Sequence, residues 1–410
     1  MDLIINELMA IQSKIVKYVP RRYKRYLFDR IEWNQRMLAI TGGRGTGKTT
    51  LVLQYFLEEY NDVKKCLYIS ADNPLVMKKG LYEIISEYFK LFGECVIIDE
   101  IHKQKDWSND MKVLYDAFPN KKFIILGSSK LGILNQKGDL SRRVMIYNLK
   151  SLSFREYLNL KYNIESDPFS LEEILSDHIR ISSEILGKTE RVIGLFHEFL
   201  NCGMYPFTLE CNEEKYYIQL NNIIDKIIYE DVPTIKNIKS SSSIHLKKLI
   251  AFISMSKIPT LNVSSLCNEI GISKETLYVF LDLLERADLL NIIKPQKSTV
   301  RSIKNSKILF YSANMYYAIA NEMWQHEVLK GNIRESFFVS QIKGLYPIFV
   351  SKEADFLIQS KNLKSLEFEI GGKSKSKKQI KNIKNGYILR DDIEIGVGNI
   401  IPLYLPGFLY

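Results

Sequence analysis

The residues best able to do chemistry stand together from Thr41 to Thr50, in "TGGRGTGKTT". Gly42, Gly47, Lys48 and Thr49 satisfy the spacing G-x-x-x-x-G-K-[ST] of a phosphate-binding loop. Glycines let the backbone curl until successive N–H groups point at one anion, at φ values that a β-carbon opposes. The lysine of such a loop reaches the β and γ phosphates, and the hydroxyl after it ligates Mg²⁺. Gly42, Gly43, Arg44, Gly45, Thr46, Gly47, Lys48, Thr49 and Thr50 are therefore the expected ATP-binding residues, with Thr49 on the metal.

Hydrolysis needs more than a cradle: a carboxylate on the metal side and a group that positions water. "CVIIDEIH" offers both, with Asp99 expected in the Mg²⁺ shell and Glu100 expected to orient the attacking water. A third segment, "KKFIILGSS", ends in Ser128 and Ser129, where a hydroxyl meets the γ phosphate or the lytic water.

These residues need strands to carry them. "MLAI" before the loop, "KCLYIS", "CVII" and "KKFIIL" are short apolar runs of the kind buried on both faces of a parallel sheet. "LVLQYFLEEY" and "MKVLYDAFPN" have helical spacing. Strands alternating with helices predict an α/β, doubly wound domain whose ligands gather at the carboxyl ends of the strands.

The loop, "IIDEIHK", "ILGSS" and then "LSRRVMIYNLKSLSFREYL" together resemble the AAA+-type ATPases of a bacterial and archaeal family that joins an AAA+ domain to a C-terminal DUF4143 domain. In "SLSFREY" Ser151 replaces that family's usual proline. The resemblance implies an arginine finger acting on a neighbouring subunit's nucleotide, at Arg142 or Arg143, and hence a homo-oligomer. A cation there offsets charge developing at the γ phosphate.

Beyond Leu158 the pattern changes. "SLEEILSDHIRISSEIL", "RVIGLFHEFLNCG" and "YYIQLNNIIDKIIYEDV" carry apolar residues at three- and four-residue spacing and predict a helical lid or connector. "CGMYPF" resembles the same family's glycine-rich turn, with Cys202 in place of its first glycine. "KNIKSSSSIHLKK", with serines from Ser240 to Ser243, reads as a linker. Then "LNVSSLCNEIGISKETLYVFLDLLERADLLNIIKP" predicts a winged helix-turn-helix, turning at Gly271 and capping its second helix with Ser273. That second helix has more acids than cations, which suits it poorly to a DNA groove. The wing after it holds Lys294, Lys297, Arg301, Lys304 and Lys307 with no acid.

The C-terminal part returns to α/β alternation. "ADFLI" and "SLEFEI" bring Asp355 and Glu369 towards neighbouring strand positions, a candidate second metal site for phosphodiester hydrolysis. The family resemblance implies a restriction-endonuclease-like fold there, with an Asp followed by Glu-x-Lys and a first-helix glutamate that Glu335 fits. Here Gly371 stands where the lysine belongs, with Lys373 close by, so nuclease chemistry is not expected. "KSKSKKQIKNIKN", including Lys375, Lys377 and Lys378, is suited either to a nucleic-acid backbone or to a solvated helix face.

The expected domains are thus 1–158 (ATPase), 159–243 (connector), 244–308 (winged helix) and 309–410 (nuclease-like). A chain of 410 residues, 46% apolar, is large enough for several cores. Its net charge of +10 hints at a polyanion without requiring one. Five scattered cysteines form no metal-ligand spacing and point to reduced thiols in a cytoplasmic protein. No signal-peptide pattern or membrane span is evident. Three functions compete: an ATPase driving a partner through its C-terminal domains, an ATP-gated nucleic-acid-processing protein, and a nucleotide-switched scaffold.

Overall fold

A computed structural model of the chain describes residues 3–127, 140, 142–235, 240–257, 263–296, 305–324, 327–360, 364–375, 383 and 385–410. Two compact units result, Met1–Lys150 and Ser151–Tyr410.

In the first unit five strands form one parallel sheet: β1 (Met37–Thr41), β2 (Cys66–Ser70), β3 (Cys95–Asp99), β4 (Lys122–Gly127) and β5 (Met145–Asn148). Their order is β2-β3-β4-β1-β5, which sets the strand carrying the phosphate loop between β4 and β5. The apolar runs are buried because both faces are covered. Ala39, Leu67, Ile69, Val96, Ile98 and Ile125 face a cluster shared with α1 (Leu3–Val16), α3 (Pro74–Lys79), α4 (Leu81–Leu91) and α5 (Trp107–Ala117). Leu38, Ile40, Ile97, Ile124 and Leu126 face the opposite cluster with α2 (Lys48–Glu59). Alternate residues of each strand serve opposite layers, so an uninterrupted apolar run is required.

The second unit begins at Ser151, ahead of the expected boundary at Leu158. Helix α6 (Phe154–Tyr162) is held there by a capping box between Ser153 and Glu156. The Ser153 hydroxyl also donates to the Tyr410 carbonyl at 2.7 Å, and the Phe154 ring packs edge-on against Phe196 and Phe408. Side chains far apart in sequence thus share one aromatic core.

Helices α7 (Leu171–Lys188), α8 (Val192–Cys202) and α9 (Glu213–Lys226) follow the predicted periodicity, and α9 runs on through a π-helical turn at Ile227–Asp231. The serine stretch is no linker: Ser240 opens α10 (Ser240–Met255). Serine is a modest helix former that is favoured near a helix start, and the buried Leu246, Leu249 and Ile250 anchor the later turns of the helix. Helices α11 (Val263–Ile270) and α12 (Lys274–Arg286) meet at Gly271, φ 80°, and Ser273 caps α12 through the Thr276 amide. An antiparallel pair, β6 (Leu290–Ile293) and β7 (Lys307–Phe310), comes next. After α13 (Asn314–Glu322) and α14 (Lys330–Ile342), strands β8 (Ile348–Val350), β9 (Phe356–Gln359), β10 (Ser365–Gly371), β11 (Gly386–Arg390) and β12 (Ile400–Pro402) make a second sheet. There β10, β11 and β12 run parallel, and β9 pairs antiparallel with both β10 and β8.

Among the described residues, no helix is long and apolar enough to cross a membrane. All five cysteines are free thiols.

Candidate active site

The chain leaves β1 into the loop with Gly42 at φ 148°, where an added β-carbon would lie 2.2 Å from the Leu149 carbonyl oxygen. Only glycine fits so close to backbone. Gly47 opens α2 from the left-handed region at φ 93°, which aims the first amides of a twelve-residue helix into the loop. The Lys48 ammonium, nearly fully buried, donates to the carbonyls of Gly42 (2.8 Å) and Gly43 (2.9 Å). The Thr46 hydroxyl donates to Gly43 at 2.9 Å and braces the turn.

Opposite the loop, the Thr49 hydroxyl donates to Asp99 Oδ2 at 2.6 Å. The sheet order leaves β4 between β1 and β3, yet their carboxyl ends still bring loop and carboxylate together. Glu100 lies one residue past β3 in the left-handed region, φ 49°. Its carboxylate is 3.5 Å from the Arg44 guanidinium and 3.3 Å from His102 Nε2. Predicted binding and catalytic residues from two segments therefore share one site.

Two contributors were missing from the sequence reading. The Tyr68 hydroxyl on β2 donates to Asp99 Oδ2 at 3.0 Å, and burial beside that carboxylate pushes its pKa far above the usual tyrosine value. Strand pairing of Ser70 with Asp99 carries it there, a register that periodicity does not reveal. Arg25 is buried and donates to the loop carbonyl of Thr46 and, at 2.8 Å, to the Lys150 carbonyl. In sequence it is one cation in a basic stretch, "RRYKR", with nothing to single it out.

The remaining predicted residues divide. Ser128 and Ser129 lie outside the described residues. Arg142 is exposed, whereas Arg143 makes a forked contact with Asp116, Nε at 3.2 Å and an Nη at 3.0 Å. Lys297, Arg301, Lys304, Lys377 and Lys378 also lie outside the described residues.

In the second unit Lys307 is not a wing cation. Its ammonium turns inward to Glu335 (2.7 Å) and Asp355 (2.8 Å), because β7 runs beside those carboxylates and their charge outweighs the cost of burying it. Burial raises the pKa of Glu335 to about 7 despite the ammonium. Asp355 Oδ2 accepts the Ile370 amide at 2.8 Å, so Asp355 and β10 do converge. Gly371 is not simply an empty place. A β-carbon there would meet the stem of Lys375 at 2.6 Å, and the Lys375 ammonium pairs with the buried Glu369 carboxylate. The cation beside Glu369 comes from position 375, and Lys375 is thereby withdrawn from the free basic run.

A parallel sheet, a glycine loop at a strand-to-helix turn, and a hydroxyl joined to the next strand's carboxylate define a P-loop domain like those of AAA+ ATPases. Residues 34–158 match the family described as "AAA domain". Residues 193–325 match a domain of unknown function, DUF8612, and not the DUF4143 domain that the motifs resemble. The uncharacterized protein MJ1637 of Methanocaldococcus jannaschii is 28% identical over 435 residues, spanning 97% of this chain and 87% of its own. Among solved structures, the Aeropyrum pernix Orc1 protein in complex with DNA is 12% identical with a TM-score of 0.32, over 77% of this chain and 92% of that one. AMPPCP-bound DnaA from Aquifex aeolicus is 14% identical with a TM-score of 0.28, over 68% and 88%. Both likenesses are loose, and neither bears on the site.

Proposed function

We propose that this chain is a Mg²⁺-dependent ATPase whose nucleotide state is coupled to a partner held by the second unit. The observation that carries the reading is the 2.6 Å bond between Thr49 and Asp99. A hydroxyl and a carboxylate that exposes little surface are hard oxygen donors, suited to a cation that keeps several of its waters. Mg²⁺ there would offset charge on the β and γ phosphates. Lys48, now resting on two loop carbonyls, has only to swing its ammonium to reach a phosphate oxygen. Glu100 stands beside Asp99 with a carboxylate able to orient water. Of the two arginines, Arg142 suits a finger acting on a second copy, since Arg143 is engaged with Asp116. Phosphate release from purified protein, for wild type and Lys48→Ala with and without Mg²⁺, tests the reading. Equal rates for both proteins would remove it.

A second reading, nucleic-acid cleavage in the second unit, is favoured by one observation: Lys375 supplies at Glu369 the cation that position 371 lacks. Lys307 opposes it, since its ammonium occupies the position between Glu335 and Asp355 that a metal would need. A nucleic-acid partner would be held by charge through Lys294, Lys297, Arg301, Lys377 and Lys378; a protein partner docking on the second unit is the alternative.

A further inference from the structure

We propose that the second unit binds a divalent transition-metal ion of the Zn²⁺ type between His197, Asp391 and Asp392. His197 lies on α8, and the two aspartates follow β11 directly, 194 and 195 positions away in sequence. One ligand atom from each lies within 4.8 Å of the others. His197 Nε2 is 3.4 Å from Asp391 Oδ1 and 3.1 Å from Asp392 Oδ1. Only the longer contact has hydrogen-bond geometry, so the ring nitrogen is not committed to the nearer carboxylate. The two separations from His197 are close to the about 3.3 Å between ligand atoms of a tetrahedral ion with bonds of about 2.0–2.1 Å.

His197 and Asp392 are open to solvent, and Arg334 reaches both carboxylates, at 2.7 Å and 3.9 Å. Asp391 is buried, with Oδ2 taking the Arg334 Nε–H at 2.7 Å and Oδ1 the Asp392 amide at 2.9 Å. Those donors fix the carboxylate's orientation, as outer partners of metal ligands do. The three residues line a cavity of about 330 Å³ together with Tyr317, Lys330 and Arg334. One nitrogen and two oxygens form a softer set than the all-oxygen cages of Mg²⁺ or Ca²⁺. Three protein ligands leave a fourth position open to the cavity, the pattern of a site that meets a further ligand and not of a closed structural one. This site shares no residue with the ATPase site.

The test is calorimetric titration of the full-length protein with Zn²⁺ at neutral pH, for wild type, His197→Ala and Asp392→Asn. Thiols and the P-loop carboxylate can also take Zn²⁺, but all three proteins keep them. Each variant is expected to bind one equivalent fewer than wild type. Equal stoichiometry and affinity in the three would overturn the proposal and leave an ion-pair network. Asp392 is partly exposed, so Asp392→Asn carries the test should His197→Ala fail to fold.

Discussion

The Arg44 guanidinium stands 3.5 Å from the Glu100 carboxylate, so a residue of the phosphate loop already touches the group expected to handle water. His102 approaches the other carboxylate oxygen at 3.3 Å. Glu100→Gln keeps the shape of the side chain while removing its charge. ATP affinity is expected to stay close to that of wild type, because the loop and Lys48 do the holding. Turnover is expected to fall by about 10²–10⁴-fold, the usual worth of a positioned base. Equilibrium binding of a labelled ATP and steady-state phosphate release measure the two separately, and an unchanged rate would remove Glu100 from the mechanism.

Among the described residues, the Tyr68 hydroxyl reaches the candidate site through its bond to Asp99. Tyr68→Phe deletes a buried hydrogen bond to a charged acceptor, worth about 1.5–3 kcal/mol in such settings, and leaves Thr49 as the other donor to Asp99 Oδ2. A less firmly oriented carboxylate should raise the Mg²⁺ concentration needed for half-maximal turnover more than it lowers the rate at saturating Mg²⁺. Wild-type Mg²⁺ dependence in this variant would leave the hydroxyl a purely structural role.

Much of this site was legible because it is local. The loop, Asp99 and Glu100 fall in two short motifs whose strand-to-helix and strand-end contexts can be read from apolar runs alone. Tyr68 and Arg25 were not legible, since each reaches the site through strand register or a long-range contact to a backbone carbonyl. Lys307 and Lys375 show the same limit with the opposite effect. In sequence they are two cations among many, and only folding brings them to the carboxylates that remove them from the basic surface. The serines at 240–243 misled for another reason: polarity at a helix start looks like a linker when the burial of the later turns is unseen.

Gly42→Ala tests the close approach of the loop to the segment after β5. The added carbon would meet a carbonyl oxygen at 2.2 Å, and backbone cannot move aside as a flexible side chain would. Overpacking of this kind costs about 1–3 kcal/mol. A fall in melting temperature should accompany loss of ATP binding, and Gly43→Ala is the comparison, since Gly43 does not have a positive φ. Equal melting temperatures for the two variants would contradict the contact.

The arginines make separable predictions. Arg143→Ala should lower stability by under about 1 kcal/mol, because its contact with Asp116 is largely solvated. Arg142→Ala should leave stability unchanged and abolish any rise of specific activity with protein concentration. Mixing Arg142→Ala with Lys48→Ala should then restore part of the turnover, each protein supplying what the other lacks. Activity that is independent of concentration in wild type would exclude a finger acting between copies.

Lys307 decides whether the second unit cuts nucleic acid. Its ammonium lies 2.7 Å from Glu335 and 2.8 Å from Asp355, so a cation that belongs to the chain already stands between the two carboxyl groups. A divalent ion could enter only by displacing it, which would leave a mostly buried ammonium without its partners. Mg²⁺-dependent cleavage of duplex or single-stranded DNA is therefore not expected. Lys307→Ala should instead destabilise the protein, because Asp355 would lose its cation; Glu335, whose pKa burial already lifts to about 7, would take up a proton and keep the loss below the about 3–5 kcal/mol of a broken buried ion pair. Lys307→Ala combined with Glu335→Gln and Asp355→Asn should recover part of that loss. Melting curves of the three proteins measure the recovery, and a plasmid-nicking assay on wild type supplies the opposite case. Nicking that needs Mg²⁺ and disappears in Asp355→Asn would mean that Lys307 yields its place to the metal, and would make cleavage the principal activity of the second unit.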